Sequence, residues 1–129
     1  MELDKEKLKN FDKLPPDVRR QFSLLMNRYA EKKKQSKIKK DFMAFVKHVW
    51  PDFIEGKHHK EVAQKFNEIA DGKIKRVIIN MAPRHTKSEF ASYLLPAWMV
   101  GRNPKLKIIQ STNTTELSVR FGRKAKALM

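Results

Sequence analysis

Apolar residues recur along this chain mostly at helical spacing. Val18, Phe22, Leu25 and Tyr29 share one face of a predicted helix that opens near Pro15-Pro16-Asp17. Phe42, Phe45, Val46 and Val49 give a second stripe, closed by Trp50-Pro51, because proline disfavours helix in the residue before it. Val62, Phe66 and Ile69 give a third, ending at Asp71-Gly72. Phe90, Leu94, Ala97 and Trp98 follow, with Pro96 predicting a kink or early end and Gly101-Arg-Asn-Pro104 a stop. Leu117, Phe121, Ala125 and Leu128 form a last stripe, started by Asn113 with Glu116 three residues on. Aromatics at helical spacing, such as Phe22, Phe42, Phe45 and Phe66, read as core rather than as stacking platforms.

Two runs break the helical period. Val77-Ile-Ile79 is β-branched, and Leu106 to Gln110 contains Ile108 and Ile109. Strand, loop, helix, strand is a βαβ unit, so the expected fold class is α/β: a partial P-loop NTPase with a parallel βαβ sheet, preceded by an N-terminal helical region. In such sheets ligands bind at the carboxyl ends of the strands, where the loop Pro83–Thr86 would sit.

The chemistry of that loop supports a phosphate cradle. Backbone N–H groups at a helix start and the helix dipole favour an anion. Lys87 would place a charge near the β- and γ-phosphates of ATP, and the Ser88 hydroxyl would join the Mg²⁺ shell. The pattern G-x-x-x-x-G-K-[ST] fits only at its end, because Met81 and Thr86 occupy the two glycine places. An ordinary strand-to-helix turn carrying a surface Lys-Ser fits these residues as well. His58 and His59 read as polar helix-start residues, too close in sequence to share a face, and no pairing gives zinc spacing. A sharper reading sets His59, with Trp50 or Phe53, beside the adenine ring.

Charge points to a polyanionic partner. The 129-residue chain carries a formal net charge of +15 and a pI near 10.2, which fits nucleic acid. The run from Lys32 to Lys40, with an expected break at Gln35-Ser36, could track a DNA backbone or be a solvated face. Arg120 and Arg123 flank the last stripe, either as surface residues or as arginines reaching a neighbouring subunit's γ-phosphate. The absence of cysteine excludes disulfides and thiolate metal sites. No apolar run is long enough to span a membrane, and the N-terminus lacks a signal-peptide core, so a cytosolic location is the default.

The segment Phe42 to Met129 resembles the N-terminal part of the large terminase subunit of tailed bacteriophages. The matching features are the helix with His58-His59, Gly72-Lys-Ile-Lys-Arg-Val-Ile-Ile79 and Ala82-Pro-Arg-His-Thr-Lys-Ser-Glu89. Pro96-Ala-Trp98, Gly101-Arg-Asn-Pro104 and Ser118 to Arg123 with its Phe-Gly-Arg also match. The family's loop commonly reads Pro-Arg-His-Gly-Lys-Ser, so this chain departs at Thr86, which bears on how tightly the loop can turn.

The resemblance implies an ATP-driven motor that packages double-stranded DNA into procapsids in the host cytoplasm. The motor works as an oligomeric ring with a portal protein and a small terminase subunit, and a C-terminal nuclease domain cuts the DNA. It implies that Lys87 and Ser88 bind phosphate and Mg²⁺ within the loop Pro83, Arg84, His85, Thr86, and that Arg84 senses the γ-phosphate. Residues 1–50 then form a basic helical N-terminal region and 51–129 an incomplete P-loop ATPase domain, with Walker A present and Walker B and the nuclease absent. No apolar strand ending in an acidic pair lies between Lys107 and Met129, so the chain is expected to be a fragment, inactive in hydrolysis and cutting alone. The competing class is a small basic DNA-binding or accessory protein without nucleotide chemistry; a helicase-type ATPase is a third.

Overall fold

The computed structural model describes residues 15–129, and among them every regular element is helical. The described residues fall into two compact units, one ending at Ser36 and one spanning Lys37–Met129.

Among the described residues the first unit consists of helix α1, Pro16–Lys40, which also supplies the first residues of the second. It runs without interruption through Gln35-Ser36, where a break was expected, since neither residue is a helix breaker of the Gly or Pro kind. Its predicted stripe does not become core. Val18, Leu25 and Tyr29 are exposed, Phe22 is half-buried and no residue of the helix is fully buried.

The second unit is built around Phe42. Helix α2, Phe42–Val49, begins because the Asp41 carboxylate accepts from the N–H groups of Met43 and Ala44, at 3.4 and 3.1 Å. Asn67 on helix α3, Lys57–Ala70, fixes that start: its Oδ1 accepts from Phe42 N–H at 2.9 Å and its Nδ2 donates to Asp41 Oδ1 at 3.0 Å. Helix α2 stops at Trp50-Pro51 as the proline requires. Helix α3 stops at Gly72, whose φ of +74° allows the N–H groups of Gly72 and Lys73 to reach back to Ile69 and Glu68.

A second helical run follows: α4, Lys87–Glu89, a π-helical turn over Phe90–Leu94, and α5, Leu95–Arg102. Pro96 neither ends nor breaks it. Leu95 N–H bonds to the carbonyl of Phe90, five residues back, and this widened turn accommodates a proline that lacks an N–H and crowds the carbonyl four residues before it. The ring of Phe42 meets Phe66, Phe90 and Trp98 edge to face, with centroids 5.1, 5.4 and 5.4 Å away. The indole N–H of buried Trp98 donates to the Ile38 carbonyl at 2.8 Å. Helix α6, Thr115–Ala127, is capped by Thr114 rather than Asn113, and packs on the π turn and α5, with Lys124 over the Tyr93 ring and Leu128 against the core.

The expected α/β class is not formed. No strand and no sheet occur among the described residues, so the partial parallel βαβ P-loop fold is corrected to an all-helical one. Val77–Ile79 and Leu106–Gln110 belong to no regular element. Ile78 is 91% exposed and Ile109 97% exposed, while Ile79 rests on the helical core. The physical reason is the shortage of partners. Parallel strands are stable when buried on both faces, and two short ones are marginal alone. Here a groove lined by Ile69, Lys75, Ala91, Leu95, Met99 and Ile108 separates the helices from the runs, which, Ile79 apart, are not packed closely against them.

Candidate functional site

The loop ahead of Lys87 has an uncommon backbone. Arg84 and Thr86 have φ of 64° and 56°, the only non-glycine residues in the left-handed region among those described. Each such residue costs on the order of 1 kcal/mol, and for β-branched Thr86 the position is a genuine outlier. Thr86 stands directly before α4 with ψ 14°, and its carbonyl accepts the first helical bond, from Phe90 N–H at 2.9 Å. The N–H groups of Lys87, Ser88 and Glu89 therefore open the helical run with no helix carbonyl ahead of them.

Something must hold Thr86 there, and the contacts name it. His59, 7% exposed in the first turn of α3, brings Nε2 to 2.8 Å from Thr86 Oγ1. The other ring nitrogen, Nδ1, accepts from Gly56 N–H at 2.9 Å. The Thr86 hydroxyl donates to the His85 carbonyl at 2.7 Å. These bonds dictate the protons. Nδ1 accepts, so neutral His59 carries its hydrogen on Nε2, where Thr86 Oγ1 at 2.8 Å, whose own hydrogen is committed to His85, and His58 Nε2 at 2.9 Å share it. His85 is tied back in turn by Nδ1 donating to the Pro83 carbonyl at 2.9 Å.

His58 and His59 share a site after all. Their rings lie 3.8 Å apart with Nε2 to Nε2 at 2.9 Å, and His85 stands 5.4 Å from His58. The first turn of a helix lets adjacent side chains converge, which the spacing argument from sequence missed. Gly56 makes room for this, since a Cβ there would lie 2.9 Å from His58 Cε1. Burial, and next the neighbouring His58 and His85, hold the His59 pKa below the ordinary histidine value, with Glu55 opposing. Among the described residues no group of three His, Asp or Glu side chains is arranged to hold a metal ion.

The structure gathers the residues expected on the adenine side. Trp50 lies 5.3 Å from Phe53, Phe53 lies 4.8 Å from His59, and both Phe53 and His59 pack on Phe90, at 5.4 and 5.3 Å. His59 thus joins the aromatic cluster to the loop. Pro83, Arg84, His85, Lys87 and Ser88 are exposed around half-buried Thr86. Neither Arg84 nor Lys87 forms an ion pair among the described residues.

The loop sets the helix-opening N–H groups, the Ser88 hydroxyl, the Lys87 ammonium and the Arg84 guanidinium within one short segment, groups that could serve an anion. Arg120 and Arg123 are not part of this cluster. They lie exposed on α6 beside Val119 and Lys124. Among the described residues no helix is long and apolar enough to cross a membrane. Comparison with protein-family models, curated proteins and solved structures finds no match to this chain.

Proposed function

We propose that the loop Pro83–Ser88 binds the phosphates of ATP, and that the chain is an ATP-binding part of a large terminase subunit, the motor that packages double-stranded DNA. The reading rests on the loop and not on a sheet. One observation carries it: Thr86 takes the left-handed conformation directly before Lys87-Ser88, where the resembling family places glycine. Arg84 and Lys87 flank that turn, and both are exposed.

In this reading Lys87 neutralises the β- and γ-phosphates, Arg84 senses the γ-phosphate and the Ser88 hydroxyl enters the metal shell. Bound Mg²⁺ would bridge phosphate oxygens and offset their charge. The charge of +15 fits duplex DNA as the partner, alongside portal protein and small terminase subunit, in the host cytoplasm. Because no apolar run ends in an acidic pair, the chain is expected to bind ATP without efficient turnover. Robust ATPase activity of the purified chain would contradict that part.

A second reading has its own observation. Lys32, Lys33, Lys34, Lys37, Lys39 and Lys40 are all exposed on α1, as a basic DNA-binding or accessory protein would require. Lys87→Ala separates the two. Under the ATP reading, calorimetry shows Mg-ATP affinity reduced at least tenfold, with duplex DNA affinity nearly kept. Under the accessory reading it removes one surface charge, lowering the salt slope of DNA binding by about one unit at most.

A further inference from the structure

We infer that His59 is the positioning residue of the phosphate loop, holding Thr86 in the left-handed conformation that a glycine would reach unaided. The inference rests on the phosphate reading of the loop and adds a specific division of labour to it.

The argument starts from cost. A threonine in the left-handed region is disfavoured by its branched Cβ, so left alone it relaxes to extended or right-handed helical backbone. Either change swings the peptide before Lys87 and reorients the N–H groups that open the helical run. Two hydrogen bonds act against this, and both use the hydroxyl that glycine lacks: Thr86 Oγ1 shares the His59 Nε2 hydrogen with His58, at 2.8 Å, and donates to the His85 carbonyl at 2.7 Å.

The anchor is itself fixed. His59 is buried against Phe53 and Phe90 and tied through Nδ1 to Gly56 N–H. A rigid ring on α3 thereby clamps a strained residue across a sequence distance of 27. Glycine at position 86 would need no clamp, and threonine does.

This assignment makes a compensation test available. His59→Asn keeps an acceptor where Nδ1 sits, so the bond from Gly56 can persist, but it is too short to reach Thr86. His59→Gln places its amide near Nε2 and keeps that reach. Titration with Mg-ATP should show binding about fivefold to tenfold weaker in His59→Asn, the size expected from one lost hydrogen bond, and nearer to the native chain in His59→Gln. In a Thr86→Gly background His59→Asn should cost clearly less than in the native one, because no side chain is left there to hold. A merely structural histidine would weaken both backgrounds alike.

Equal losses in the two backgrounds, or no loss in either, would overturn the inference. Loss of the phosphate reading looks different: the native chain and Lys87→Ala would then both fail to bind Mg-ATP. In that event the Thr86 backbone, read from its Cα and Cβ chemical shifts, still decides the matter. The clamp predicts positive φ in the native chain and its loss in His59→Asn; unchanged shifts would refute it.

Discussion

Two apolar populations in this chain meet opposite fates. Phe42, Phe66, Phe90 and Trp98 close around one another, whereas the β-branched runs Val77–Ile79 and Leu106–Gln110 leave Ile78 and Ile109 in solvent. The difference lies in what each element needs. A helix satisfies its own backbone and asks only that one stripe be covered, which the next helix can do. A strand needs neighbours for its backbone and cover for its faces, and two short runs supply neither. Stability therefore resides in the helices, and the two irregular runs are carried by them.

The sharpest way to break this comparison is Phe42→Ala. It removes the ring that three others meet and should cost about 3–5 kcal/mol in urea unfolding; a cost under about 1 kcal/mol would move the core elsewhere. Asp41→Ala removes the cap of α2 and a partner of Asn67, and about 1–2 kcal/mol is expected.

Acid should act on the His59 side of the core. Its pKa is lowered in the folded protein, so below the ordinary value of 6.5 the unfolded chain binds more protons. The contribution of His59 is fully present above that value and fades as pH falls toward the lowered pKa. The urea midpoint should drop between pH 7.5 and 5.5, and His59→Asn should flatten the drop. Glu55 and Asp71, held low chiefly by hydrogen bonds from Lys47 and Arg102, act only at more acidic pH, below about 4.5. Smallest of all, Ile109→Ser should change stability by no more than about 0.5 kcal/mol. A larger loss would show that the irregular run is packed after all.

Much of the helical core was readable because its signals are local. The spacing of Phe42, Phe45 and Val46, the stop at Trp50-Pro51 and the turn at Asp71-Gly72 each need only neighbouring residues. The missing sheet was not legible for the complementary reason: Val77–Ile79 has strand composition, but pairing is a property of partners and not of the run. Pro96 follows a π turn that accommodates it, and no residue signals that turn. The loop at Pro83–Ser88 stood out as a candidate phosphate site, but its clamp did not. His59 and Thr86 lie far apart in sequence, and only the placement of α3 against the loop joins them.

The measurement that bears most directly on the phosphate reading is a titration of the ¹⁵N-labelled chain with Mg-ATP, followed by amide shifts. The account predicts the largest changes at Thr86, Lys87, Ser88 and Glu89, with smaller ones at His59 and Gly56. Changes spread over Lys32–Lys40 and absent from the loop would contradict it, and would leave a basic polyanion-binding protein in its place.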